Sequence, residues 1–251
     1  MTGRRAKNIF DPSAKEPFKL SRSKLEDFLR CPLCFYLDRR LGVAQPPGFP
    51  FTLNDAVDKL LKKEFDIHRA GKTAHPLMKR YKVDAVPFAH PDLPKWRENF
   101  VGMQYHHKPT NFIITGAIDD VWADKKGELM IVDYKATSTS NGITLDTEYR
   151  QAFKRQMEIY QWLFRKNGFK ISDTGYFVYV NARKDREAFD AKLEFDVHLL
   201  PYAGSDKWVE RAVKDAHACL MSDTLPAPSS DCDFCNYRNA ANEMMESYSR
   251  A

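Results

Sequence analysis

The sequence predicts an α/β fold, because strand-like and helix-like stretches alternate along the chain. The stretches FIITGAIDDVW (112–122) and LMIVDYKAT (129–137) have the apolar, β-branched character of strands, and the glycine-containing connection ADKKGE between them is typical of a hairpin. A long helix is predicted over about 146–167, where apolar residues recur at helical spacing and Gly168 can end it. No internal repeat or clear linker divides the chain, which favours one domain.

The remaining elements are weaker but follow the same alternation. In chain order they are a flexible basic tail at 1–17, a helix starting at Ser21 or Ser23, a helix at about 52–68, a mixed region at 71–109, strands at 175–182 and 193–200, and a helix at 206–222. We therefore expect a single domain over residues 18–251 behind the tail.

Composition restricts the class of protein only loosely. The chain has 251 residues, 43% of them apolar, which is enough for a substantial core. Lysine and arginine number 39 against 34 acidic residues, a mild excess that permits a polyanionic partner without requiring one. The apolar runs are too short to span a membrane and no basic-then-apolar leader is present, so we expect a cytoplasmic protein.

The hairpin is predicted to place two carboxylates and an amine together. If Lys125-Lys126-Gly127 forms a three-residue loop, Asp119 lies opposite Asp133, with Cβ atoms roughly 5 Å apart. Lys135 shares the face of Asp133 because side chains alternate along a strand. Two such carboxylates suit a hard cation such as Mg²⁺ or Mn²⁺, and the Tyr134 carbonyl could add a ligand. Alternatively, Asp133 and Lys135 are an ordinary ion pair at a sheet edge.

The long helix carries a stripe of side chains that includes one polar residue. Its members are Tyr149, Phe153, Gln156, Tyr160 and Leu163. Gln156 interrupts this apolar stripe, and a buried amide needs hydrogen-bond partners such as the hairpin site could supply. Alternatively, Gln156 marks the solvent margin of the helix.

Four of the five cysteines form two Cys-x-x-Cys pairs, CPLC at 31–34 and CDFC at 232–235. Paired motifs of this kind predict a four-thiolate centre that ties the two ends of the domain together. The spacing does not distinguish Zn²⁺ from an iron–sulfur cluster, and two unrelated pairs of buried thiols remain an alternative. Cys219, in a predicted helix, is interpreted as a small buried hydrophobe.

Several motifs together resemble a known family. ITGAIDDVW, IVDYKAT and QMEIY resemble, in order, motifs II and III and the Gln-x-x-x-Tyr motif of RecB-like nucleases in the PD-(D/E)XK superfamily. The stretch LSRSKLEDFLRCPLCFYL resembles the start of that branch. The cysteine-bearing tail is similar to that of its iron–sulfur members, the AddB nuclease domain and the CRISPR-associated nucleases.

The resemblance implies a fold, an activity and site residues. The fold is a restriction-endonuclease-like core, a mixed central sheet flanked by helices, with N- and C-terminal segments joined at a Cys₄ centre. The activity is metal-dependent hydrolysis of DNA, single-stranded or at duplex ends, in repair, recombination or CRISPR-type processing, with protein partners from such complexes. The implied roles are metal binding for Asp119 and Asp133, catalysis for Lys135, support of the site or DNA contact for Gln156 and Tyr160, and 4Fe-4S ligation for Cys31, Cys34, Cys232 and Cys235.

The chain departs from the family pattern at two places. The family's Gly-x-x-x-His is replaced by NDAVD, so Asp58 stands where a metal-binding histidine is usual. Asp58 can bind a hard cation, or it can be a surface charge. The last cluster cysteine falls on Ala241, so Cys34 has to replace it, which raises the case for Zn²⁺. The departures at Asn54 and Asp58 keep open a catalytically silent nucleic-acid-binding relative, and a further hypothesis is a Cys₄-centred docking module of a larger assembly.

Overall fold

The computed structural model of the protein describes residues 7–48 and 52–250, without the side chain of Tyr149. The strands are β1 Phe18–Ser21, β2 Ala85–Pro87, β3 Met103–His107, β4 Phe112–Gly116, β5 Asp120–Asp124, β6 Leu129–Thr137, β7 Thr174–Ala182 and β8 Phe195–Ala203. The helices are α1 Arg22–Arg30, α2 Pro32–Arg39, α3 Thr52–Gly71, α4 Pro76–Arg80, α5 Leu93–Arg97, α6 Gln151–Lys166, α7 Val209–Met221 and α8 Asp233–Ser249. No helix within these described ranges is both long enough and apolar enough to cross a bilayer.

The chain divides into two compact units, each described here by itself. The described residues of the first unit are 7–48, 106–114 and 207–250, and those of the second are 52–105 and 115–206.

The second unit is built on a five-stranded sheet of order β2-β5-β6-β7-β8. Strands β6 and β7 run parallel and the other neighbours run antiparallel, so the sheet is mixed. Phe65 of α3 packs against the face of β6 that carries Tyr134. Helix α6 lies against the opposite face, where Gln156 contacts Asp133. The expected mixed sheet flanked by helices is confirmed. Because side chains alternate along β6, neighbouring residues of this strand face different helices.

The first unit joins the N-terminal and C-terminal segments of the chain. It contains α1, α2, α7 and α8, together with β1 and parts of β3 and β4 from a three-stranded sheet of order β1-β4-β3. Phe10 is buried, with its ring centroid 5.3 Å from that of Phe18. This part of the predicted tail is therefore packed, whereas residues 1–6 lie outside the described ranges.

The prediction of one strand over 112–122 is wrong, because the structure has two strands there in different sheets. Strand β4 belongs to the three-stranded sheet and β5 to the five-stranded sheet. Between them, the Ile118 N–H donates to the Trp96 carbonyl at 3.0 Å instead of to a strand partner. Both strands consist mainly of apolar residues, so the local pattern does not show that the hydrogen-bond partners change.

The other central elements follow the sequence closely. Strand β6 covers the predicted 129–137, and α3 begins at the predicted Thr52. The long helix predicted over 146–167 starts as a 3₁₀ turn at Glu148–Arg150 before α6. Gly168 has a φ of +84°, the left-handed conformation expected of the residue that ends this helix.

Candidate active site and four-cysteine centre

The β5–β6 hairpin has the predicted register. Asp120 pairs with Val132, and Gly127 in the turn has a φ of +73°. One step beyond the last pair, Asp119 lies level with Asp133, and the Asp119 Oδ2 accepts the Tyr134 N–H at 2.8 Å. The Asp119 carboxylate therefore takes the place of a strand partner where the ladder ends. Because the N–H and C=O of a strand residue point to the same side, the Tyr134 carbonyl also points to the side of β6 on which Asp119 lies.

Asp133 is a fully buried carboxylate held by two partners. The Gln156 Nε2 donates to its Oδ1 at 2.7 Å, and the Lys135 ammonium pairs with its Oδ2. Gln156 is 9% exposed, so the interpretation of this residue as the solvent margin of the helix is wrong. The amide instead sets the orientation of the Asp133 carboxylate.

Lys135 lies against this carboxylate and an aromatic ring. Its Nζ is 4.7 Å from the centroid of the Phe153 ring. Burial alone would lower the pKa of Lys135, but the carboxylates of Asp133 and Asp119 raise it by more, so the net shift is upward. The amine is therefore a permanent positive charge at neutral pH.

Asp58 and Asp119 share one cation, the ammonium of Lys62. The Lys62 Nζ lies 2.7 Å from the Asp58 Oδ2 and 3.1 Å from the Asp119 Oδ1. Burial raises the pKa of Asp58, and the negative charge of Asp119 raises it further. Burial opposes the charge on Lys62, yet the two carboxylates raise its pKa overall. Asp58 is 29% exposed and pairs with Lys62 one helical turn away, so both interpretations of Asp58, metal ligand and surface charge, stay open. Lys62 lies in the candidate site, where the sequence analysis did not place it.

Tyr160 supports the amide from one helical turn away. The Gln156 Nε2 also contacts the Tyr160 hydroxyl at 3.1 Å, and Tyr160 is 3% exposed. The ring packs directly over Gly116, where an added Cβ would lie 2.6 Å from the Tyr160 Cε1. A side chain at position 116 would therefore push the ring away from Gln156.

A network of buried charges holds the first residue of β5, Asp120, in place. Sequence reasoning missed this network. The Asp120 carboxylate is fully buried and pairs with Arg69 and Arg97, and it accepts the Tyr134 hydroxyl at 2.8 Å. The Arg97 Nε also donates to the Asp119 carbonyl at 2.9 Å. The only available signal was the Asp-Asp pair at 119–120, since nothing local links it to arginines on α3 and α5.

The four cysteines meet in the first unit. Sγ–Sγ distances are 3.7 Å for Cys31 and Cys235, 3.6 Å for Cys34 and Cys232, and 3.5 Å for Cys34 and Cys235. All four sulfur atoms lie within 4.8 Å of one another. Burial would raise the pKa of Cys31, but N–H donors from Cys34 and Ser229 bring it down to about 7. The alternative of two unrelated thiol pairs is wrong, because sulfur atoms from different pairs are in contact.

Comparisons with known proteins bear on both sites. The family model described as the PD-(D/E)XK nuclease superfamily matches residues 89–240, more than half of the chain. The protein belongs to the PD-(D/E)XK nuclease superfamily. This span includes Asp119, Asp133 and Lys135 but not Asp58 or the first cysteine pair. Membership indicates a metal-dependent nuclease that binds nucleic acid and hydrolyses phosphodiester bonds.

Comparisons outside the family model add little. The crystal structure of SSO0001 is similar at a TM-score of 0.44 and 17% identity, over 81% of this chain and 77% of that one. No curated protein matches significantly.

PD-(D/E)XK nucleases use divalent metals, and the carboxylates fit such an ion in part. Asp58 and Asp119 already converge on one cation, and their oxygen atoms suit a hard metal. Among the described residues, however, the four cysteines are the one group of three or more side chains that could hold a metal ion, so Asp58, Asp119 and Asp133 do not form such a group. An ion shared by Asp58 and Asp119 would have to replace the Lys62 ammonium that lies between them.

Proposed function

We propose that this chain is a Mg²⁺- or Mn²⁺-dependent deoxyribonuclease of the RecB-like branch. The observation that carries the proposal is the contact of buried Asp133 with both Lys135 and Gln156. At the next strand position, the Tyr134 N–H donates to the Asp119 carboxylate, which brings Asp119 to the same end of the sheet. Carboxylates and a permanent ammonium at the open end of a sheet are suited to hydrolysis of a phosphodiester. The substrate is DNA, single-stranded or at duplex ends, in repair, recombination or CRISPR-type processing.

Asp58, Asp119, Asp133 and the Tyr134 carbonyl would hold the ion. When bound, it polarises a phosphoryl oxygen and makes coordinated water more acidic. The ammonium of Lys135 stabilises the negative charge that develops on the phosphate, or orients the attacking water. The Gln156 amide keeps the Asp133 carboxylate in one orientation, and the Tyr160 hydroxyl keeps the amide in place.

A cleavage assay with matched controls tests this proposal. Lys135→Met and Asp119→Asn are compared with Lys59→Met and Asp55→Asn, which remove an exposed ion pair on α3. With Mg²⁺ or Mn²⁺ and linear single-stranded DNA, duplex DNA or RNA, the first two variants should lose about 10²- to 10³-fold in rate, the effect typical of removing one transition-state charge contact. The two control variants should cleave as the wild type does. Equal rates in all five proteins would reject the assignment.

A second candidate function is nucleic-acid binding without turnover. The contact of Lys62 with both Asp58 and Asp119 favours it, because an internal ammonium already neutralises two of the proposed metal ligands. Salt-dependent DNA binding with no cleavage under Mg²⁺ or Mn²⁺ would support this candidate, and metal-dependent cleavage would exclude it.

A further inference from the structure

The four-cysteine centre has a geometry that distinguishes between the two groups it could hold. Three of the Sγ–Sγ distances are 3.5, 3.6 and 3.7 Å, and each joins the first Cys-x-x-Cys pair to the second. A disulfide would require a separation of about 2 Å, and all four are free thiols. The sulfur atoms therefore lie at non-bonded distances around a common point.

One tetrahedral ion accounts for this spacing. With Zn–S bonds of about 2.3 Å, the edges of a ZnS₄ tetrahedron are about 3.8 Å long. In a 4Fe-4S cluster each thiolate binds a different iron, and the cluster core holds the four thiolates roughly 6 Å apart. Because all four sulfur atoms lie within 4.8 Å of one another, the cluster suggested by the family resemblance does not fit between them.

The protein around the sulfur atoms is arranged as a closed site. Cys31 is the N-cap of α2 and Cys232 is the N-cap of α8, so each pair occupies the first turn of a helix. Helix N-termini stabilise negative charge, which favours thiolates at these positions. Cys31, Cys34 and Cys235 are buried. Four protein ligands leave no coordination position for a substrate or water, as in structural zinc sites.

We infer that the four cysteines bind a single Zn²⁺ ion that ties residues 31–34 to residues 232–235, and that no iron–sulfur cluster is present. The ion connects positions that are 198 residues apart in sequence, Cys34 and Cys232. It therefore takes the place of a larger core between the two chain segments. This inference concerns the first unit alone and stands whether or not the protein cleaves DNA.

Metal analysis of the whole chain tests the inference. The protein is produced with both zinc and iron supplied, purified without oxygen, and analysed for zinc, iron and acid-labile sulfide. We expect about one zinc per chain, no sulfide, and no broad absorbance near about 400 nm, where thiolate-bound clusters absorb. About four irons with sulfide and that absorbance, one iron without sulfide, or no metal at all would each overturn it.

Variants assign the ion to the four cysteines. Cys232→Ser should lose the zinc, Cys232→His should retain it because Cys₃His sites also bind zinc, and Cys219→Ser should keep the full amount. Cys219 is the fifth cysteine and lies on α7. Should Cys232→Ser not fold, wild-type protein loaded with Co²⁺ provides the readout. It should show the visible bands of tetrahedral cobalt–thiolate, and a spectrum without them would overturn the inference.

Discussion

Two groups of candidate metal ligands in this protein differ in how their charge is balanced. In the first unit, four thiols approach one another at the spacing of a single tetrahedral ion. In the second unit, lysines neutralise the carboxylates: Lys62 pairs with Asp58 and Asp119, and Lys135 pairs with Asp133. The four thiols are gathered around one point, whereas the carboxylates are already paired with lysines of the protein. Stability should depend on metal in the first case and on protein charges in the second.

The largest expected effect is the loss of stability on removal of the thiolate-bound ion. A strong thiol-competing chelator should lower the unfolding midpoint by about 10 °C or more, because the binding energy of a structural zinc is folding energy. Removal of Mg²⁺ alone should leave the midpoint unchanged. Differential scanning calorimetry with metal analysis of each sample measures both. An unchanged midpoint after verified loss of zinc would remove the distinction between the two groups.

The next largest effect concerns the buried charges beside the carboxylate group. Asp120→Asn should lower the free energy of unfolding by about 3–5 kcal/mol, since it leaves the guanidinium groups of Arg69 and Arg97 without their buried counter-charge. Asp66→Asn is the control, because Asp66 pairs with the same two arginines but is 47% exposed. It should cost less than about 1 kcal/mol. Urea denaturation measures both, and equal losses would contradict this account.

A smaller effect is expected from a crowded glycine. Gly116→Ala should displace the Tyr160 ring, at a cost of about 1–3 kcal/mol for overpacking, and should lower the cleavage rate by loosening Gln156. The matched control is Gly142→Ala, because a Cβ there meets no atom within 4 Å. Stability and cleavage are measured on both variants. A wild-type rate in Gly116→Ala would remove Tyr160 from the support of the site.

The smallest effect tests whether the internal ammonium competes with metal. Lys62→Met should raise the affinity for Mn²⁺ by about fivefold, the consequence of removing about 1 kcal/mol of competing charge interaction. Lys59→Met removes a lysine one turn away that pairs with exposed Asp55 and should leave the affinity unchanged. Titration followed by electron paramagnetic resonance measures free Mn²⁺ directly. Unchanged or weaker binding in Lys62→Met would show that Lys62 does not compete with the ion.

Much of the fold and part of the candidate site could be predicted from short stretches of sequence. The turn at Lys125-Lys126-Gly127 sets the pairing of β5 with β6, because a three-residue loop with a left-handed glycine allows one register. That register placed Asp119 level with Asp133. Helical spacing placed Gln156 and Tyr160 on one face of α6.

Contacts over long sequence separations could not be read from local patterns. The break between β4 and β5, the contact of Lys62 with Asp119 across 57 positions, and the arginines that surround Asp120 all depend on how α3 and α5 pack. The two Cys-x-x-Cys pairs indicated a four-thiolate centre, but the spacing of the sulfur atoms required the folded first unit. Hydrophobic periodicity and turn residues are properties of neighbouring positions in the sequence. The distance between side chains from different elements depends on how those elements pack, and no short stretch of sequence determines that packing.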